Sequence, residues 1–246
     1  MHDSNGVTPT ETLEKAARAE TTSRPKREYR TLAFQVALFS ALAAFAVLTL
    51  MVTATPFFAI DLQITRALQT IRSPVFAGFM YLISWPGYPP QGLILPAVIT
   101  LTMYRLGFRW EAVTALLAAV FSALVNVLIK ELIARPRPTM DLVDVFTILD
   151  SYSFPSGHVM LYLGFYGFLW FLAFSLLKRS WKRTFLLIVL GTLVALVGVS
   201  RIYLGQHWAS DILGAVLLGG LLLVLILEFY RWGKKRFFVH QPVAPG

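Results

Sequence analysis

Seven ionisable residues of this 246-residue chain stand at or beside the ends of long uncharged runs: Lys130, Arg135, Arg137, His158, Arg201, His207 and Asp211. Charges at membrane depth are costly and usually functional. This set is the inventory for binding a phosphate and attacking it. His207 and Asp211 are four apart at the expected start of a helix, one above the other on one face. The carboxylate can take the Nδ1 proton, leave Nε2 free as a nucleophile and stabilise the cation formed on attack. A buried structural His–Asp pair is the alternative. In Pro155-Ser156-Gly157-His158, Ser156 is the expected N-cap of a long apolar helix and Gly157 lets the backbone approach an anion. His158 then stands beside the leaving oxygen as general acid. An ordinary capping turn would explain Ser156 but not His158. Lys130, Arg137 and Arg201 are expected to clamp the non-bridging oxygens, the arginines as planar forks and the lysine as a point charge. Arg135 is expected to face headgroups rather than a second phosphate, and Asn126 to hydrogen-bond between helices.

The chain has no cysteine, which excludes disulfides, thiolate nucleophiles, iron–sulfur clusters and cysteine-ligated zinc. Asp61, Glu131, Asp141, Asp144, Asp150 and Asp211 are scattered and lack the spacing of a catalytic metal site, so neither a metal nor a cofactor is expected.

The elements that must position these groups are membrane helices. The chain is 57% hydrophobic and 14% charged, with a mean hydropathy of +0.65. Soluble domains carry about 25% charged residues. Uncharged runs predict an all-α bundle of six transmembrane helices: 31–60, 73–104, about 110–132, 158–177, 185–204 and 208–230. The second run is interrupted between Trp85 and Pro90, as one broken helix or a re-entrant element. Residues 1–30 read as a flexible tail, 31–232 as the membrane domain and 233–246 as a short basic tail. With six spans, sixteen of the 22 Lys and Arg residues fall on the side of the termini, and all of the +9 net charge with them. That is the cytoplasmic side by the positive-inside rule. The basic excess therefore implies no nucleic-acid partner. Whatever the first two spans do, segments 130–138, 155–158 and 200–211 share the opposite face.

Lys130 followed after six residues by Arg137-Pro138, then Pro155-Ser156-Gly157-His158, then Ser200-Arg201 followed by His207 and Asp211, resembles the type 2 phosphatidic acid phosphatase family. Its three-part signature also occurs in vanadium haloperoxidases and glucose-6-phosphatases. All signature positions are filled, over about a third of the chain. The resemblance implies the same phosphate-clamping role for Lys130, Arg137 and Arg201. It also implies a multi-pass enzyme of the cell (inner) membrane acting on a lipid phosphate: phosphatidate, phosphatidylglycerophosphate, diacylglycerol diphosphate or a polyprenyl diphosphate. The small loops and outward site rank undecaprenyl diphosphate first by a small margin. The soluble haloperoxidases do not fit this chain's composition. The rival from another class is a lipid or ion transporter with the buried charges along its pathway and a discontinuous second span. A permeation path needs charges but no nucleophile facing an acid. Ala215 and Gly219 are small residues suited to close helix packing.

Overall fold

The computed structural model describes the backbone of residues 9–238 and the side chains of residues 31–238; parts of both expected tails lie outside these described residues. The chain divides into two units, Met1–Ala43 and Ala44–Gly246. The described part of the first is the N-terminal portion of helix α1 (Pro9–Ala54). The segment Thr31–Ala54 of that helix is long and apolar enough to cross a membrane.

In the second unit the apolar run expected to reach Ile60 stops at Ala54. Pro56, which has no N–H to give, breaks the ladder. The chain restarts as the short helix α2 (Ala59–Gln69), whose third residue, Asp61, reaches back to accept the Phe58 N–H at 3.1 Å. The expected second span is two helices, α3 (Pro74–Ser84) and α4 (Gln91–Arg105), of 11 and 15 residues. Ser73 caps α3 by accepting the Phe76 N–H at 3.4 Å, and Pro74 sits where its missing N–H costs nothing. A 3-10 turn, Trp85–Gly87, and Tyr88-Pro89-Pro90 separate the two.

Four further rods follow. Helix α5 (Arg109–Ile133) ends on a left-handed Ala134, φ 51°. Helix α6 (Gly157–Leu161), a π turn (Tyr162–Tyr166) and α7 (Gly167–Leu176) make one continuous 20-residue rod. Helix α8 (Trp181–Tyr203) is capped by Ser180 and α9 (Ala209–Phe237) closes the bundle. With Thr31–Ala54, these make five helices among the described residues that are long and apolar enough to cross a membrane, against six expected. Neither half of the broken second element reaches that length.

The bundle is inverted relative to a water-soluble one. On α5 the buried stripe is small and polar: Ala112, Ala115, Ala119, Ser122 and Asn126. Its large residues, such as Phe121, Leu124 and Leu128, point outward. Small residues let helix backbones approach where lipid supplies no hydrophobic push. Leu50, Leu93 and Leu225 are 73, 75 and 65% exposed, a surface that only acyl chains would solvate. Between the rods, Tyr162, Phe165 and Phe168 fill the centre against Ala115, Val197 and Ala215. At the end of the bundle away from the site, Glu111 pairs with Lys234 at 2.5 Å and accepts the Tyr230 hydroxyl at 3.1 Å, tying α5 to α9.

Candidate active site

Two rods arrive at the site and two leave it. Lys130 is in the last turn of α5 and Arg201 in the last turn of α8, while His158 is in the first turn of α6 and Asp211 in the first turn of α9. Lys130, Arg137, Gly157, His158, Arg201 and His207 line one cavity of about 570 Å³. Its other wall is apolar, from Leu93 and Ala97 of α4 and Val120 and Leu124 of α5. Ser156 and Asp211 stand behind the lining, fully buried.

His207 lies two residues before α9 begins at Ala209, so its pairing with Asp211 does not come from a shared helix face. Asp211 is the third residue of α9 and reaches back to accept the Trp208 N–H at 2.8 Å, which turns its carboxylate toward the loop. His207 Nδ1 lies 3.4 Å from that carboxylate. On its other side, Arg137 Nη1 is 3.2 Å from His207 Nε2. A guanidinium can only donate, so Nε2 is the acceptor and the ring proton belongs on Nδ1, toward Asp211. Burial first, and then the charges of Arg137, Lys130 and Arg201, hold the His207 imidazole well below its ordinary pKa. The ring is thus neutral, with Nε2 unprotonated and facing Arg137.

Arg137 is fixed by its neighbours: Nε donates to Ser151 O at 2.6 Å, Nη2 to Ser151 Oγ at 2.9 Å and Nη1 to Gln206 O at 2.5 Å. Burial and the charge of Arg201 bring its pKa down to about 10, so it stays charged at neutral pH. Lys130 Nζ donates to Tyr152 O. Arg201 is fully buried, with Nη1 donating to Ser84 Oγ at 3.4 Å, while its Nε and Nη2 have no partner among the described residues. His158 Nε2 also has none. No ion pair among the described residues involves Lys130, Arg137 or Arg201. Three cations thus line one cavity without a facing carboxylate, an arrangement that favours negative charge there.

The carboxylates that could have neutralised them are engaged elsewhere, by Arg135. This residue does not face headgroups as its sequence position suggests; it is 1% exposed. Nη1 is 2.5 Å from Asp211 Oδ1 and Nη2 is 3.0 Å from Asp61 Oδ2. Nε donates to Pro56 O at 2.9 Å. Asp61 in turn accepts the Ser210 N–H at 2.8 Å and the Ser210 hydroxyl at 2.7 Å. Arg135 and Asp61, read from the sequence as a headgroup-facing cation and a scattered acid, are instead joined behind the site, and Ser153, whose hydroxyl donates to Asp211, escaped the sequence reading. The uncharged stretch around Pro56 gave no sign that α2 would fold back onto α9. Ser156 is the N-cap residue of α6, but its hydroxyl caps nothing, and its N–H donates to Asp211 O at 3.3 Å. At Gly157 the space for a Cβ is taken by Asn126, whose Oδ1 would lie 2.8 Å away. Asn126 Nδ2 donates to Pro155 O at 2.9 Å, the expected interhelical bond. No three His, Cys, Asp or Glu side chains group as metal ligands among the described residues.

Comparison with known proteins gives this geometry a family. Residues 111–235 match the PAP2 superfamily model. The chain is 34% identical over 172 residues to phosphatidylglycerophosphatase B of Bacillus subtilis, covering 69% of this chain and 82% of that protein. It is 26% identical over 192 residues to lipid A 4'-phosphatase of Porphyromonas gingivalis, covering 72% of this chain and 76% of that one. Among solved structures, that of a transmembrane PAP2 type phosphatidylglycerolphosphate phosphatase from Bacillus subtilis superposes with a TM-score of 0.69 at 31% identity, covering 81% of this chain and 98% of that one. The chain belongs to the PAP2 superfamily, the type 2 phosphatidic acid phosphatases, and is a membrane-embedded phosphatase of that family.

Proposed function

We propose that this enzyme hydrolyses the terminal phosphate of a membrane lipid through a phosphohistidine on His207. The observation that carries the proposal is the cavity itself: three unpaired cations and an unprotonated imidazole nitrogen at one end, and an apolar wall shared by α4 and α5 leading from it. The phosphate oxygens sit among Lys130, Arg137 and Arg201, with the Gly157 backbone and Ser156 supporting that side of the site. His207 Nε2 forms the bond to phosphorus as the bond from phosphorus to the lipid oxygen breaks, and His158 supplies the proton to that oxygen. Asp211 stabilises the imidazolium. Water then cleaves the phosphohistidine with His158 as base, releasing inorganic phosphate. No step calls for a metal, because the cations carry the charge developing on the equatorial oxygens.

The relatives' names, phosphatidylglycerophosphatase B and lipid A 4'-phosphatase, favour a phospholipid or glycolipid phosphomonoester. Phosphatidylglycerophosphate leads on that ground, ahead of phosphatidate and of undecaprenyl diphosphate. In this reading the broken pair α3–α4 completes a sixth crossing, with both termini cytoplasmic and the site toward the outer face of the cell membrane, which the distribution of Lys and Arg supports. The test is phosphate release by the purified protein from each of these three lipids in mixed micelles, with and without a chelator. Release from a phosphomonoester lipid, unchanged by chelator and inhibited by vanadate, supports the reading. Absence of release from all three, with transport in vesicles, would replace hydrolysis by the transporter alternative.

A further inference from the structure

The break between α3 and α4 delivers one side chain onto three residues of the site. The Tyr88 ring lies 4.9 Å, centroid to centroid, from the His158 ring in an edge-on arrangement. The same ring lies under the Arg201 guanidinium, whose Cζ is 4.9 Å from its centroid. Its hydroxyl donates to Gln206 Oε1 at 3.0 Å. Gln206 joins the two remaining arms of the site, since its N–H donates to Arg201 O at 3.1 Å and its carbonyl accepts Arg137 Nη1. Arg201 has no carboxylate to hold it, and His158 Nε2 has no hydrogen-bond partner among the described residues. An aromatic face attracts a guanidinium without satisfying its N–H groups, and an edge contact fixes an imidazole without occupying its nitrogens. Both therefore stay free for a ligand. The preceding Gly87 is part of the same fit, for a Cβ there would lie 2.9 Å from His158 Nε2 and 3.0 Å from its Cγ.

We propose that Tyr88 is a positioning residue of this active site, its ring holding His158 and Arg201 in place while leaving their nitrogens to the phosphate and its leaving group. The proposal rests on the phosphatase reading above, in which His158 is the acid. It gives the interrupted second element a purpose: an unbroken helix would carry Tyr88 past the site rather than into it. Gly87 and Tyr88, outside the signature segments, and Gln206, a non-signature position within the third, then belong to the site's construction.

The test uses leaving-group chemistry. A lipid alkoxide needs protonation as it departs, whereas p-nitrophenolate does not, so a misplaced acid lowers turnover of phosphatidylglycerophosphate more than that of p-nitrophenyl phosphate. In Tyr88→Leu the ratio of lipid to p-nitrophenyl turnover is expected to fall at least about tenfold, with Tyr88→Phe staying within about threefold of wild type on both substrates. Gly87→Ala, which pushes a methyl against the imidazole with Tyr88 intact, is expected to lower the same ratio. Retained p-nitrophenyl phosphate turnover shows that each variant is folded. A ratio unchanged in Tyr88→Leu, or a Tyr88→Phe variant as impaired as Tyr88→Leu, overturns the proposal. His158→Ala is the control: if it too leaves the ratio unchanged, the assignment of His158 fails and the Tyr88 proposal with it. If His158→Ala lowers the ratio and Tyr88→Leu does not, only the Tyr88 proposal fails.

Discussion

Arg135 lies 2.5 Å from Asp211, nearer than His207, which is 3.4 Å from the same carboxylate. The group that orients the imidazole is itself oriented, by a buried arginine shared with Asp61. Asp211 is thus held in one direction within a dry site. Removing Arg135 leaves two buried carboxylates without a counter-ion, and such losses cost about 3–5 kcal/mol. Arg135→Met should therefore be strongly destabilised in denaturant unfolding from micelles. Arg135→Met combined with Asp61→Asn should recover part of that loss, since only one unpaired carboxylate remains. An exposed headgroup-facing arginine would show neither effect.

With His207 as the proposed nucleophile, its depressed pKa should set the acid side of the activity profile. The nucleophile must be unprotonated to attack, so activity should fall as pH drops through its pKa in the free enzyme. With that pKa well below the ordinary value, the acid limb of kcat/KM belongs below the usual histidine range of about 6.5. After burial, Arg137 is the strongest of the charges holding it down. On the residual activity of Arg137→Ala the limb should move upward in pH. A limb that stays in place would separate Arg137 from the nucleophile.

The loop that carries His207 turns on Gly205, whose φ is +66°, and a Cβ at that position would run into the Asp144 carbonyl. A side chain is strained there by conformation and by space alike. Gly205→Val should lose stability by about 1–3 kcal/mol and lower activity on every substrate equally, measured as paired unfolding and turnover assays. A substrate-selective loss would point to a different role for the turn.

Much of this site is legible in the sequence because membrane helices are long, uncharged and antiparallel. Once Lys130, His158, Arg201 and His207 fall at helix ends, alternation alone brings them to one face. The details follow different physics. The His207–Asp211 pair looks like helix spacing but arises from a capping contact at Trp208, with His207 two residues upstream of the helix. Arg135 looks like an interfacial residue because nothing local marks the tertiary partner on α2, which is 74 residues away in the chain. The second span is unreadable as a length of helix because Pro86, Pro89 and Pro90 divide it, and only its fold shows that the break lands on the site.

The cations should be separable from the nucleophile by kinetics. If Lys130 and Arg201 clamp the phosphate as proposed, Lys130→Met and Arg201→Met should each lose on the order of 10²–10³ in kcat, by analogy with oxyanion-hole donors. Adding divalent metal should not restore the loss. Restoration by magnesium would mean that the pocket had been built to share its charge with an ion.

The most direct measurement is acid-free quenching of the enzyme during turnover of a ³²P-labelled lipid phosphate, followed by peptide mapping. A base-stable, acid-labile label on the peptide containing His207, absent in His207→Gln, is the result expected. A burst-competent wild type that never carries label, or a His207→Gln variant that hydrolyses the lipid at the wild-type rate, would contradict it.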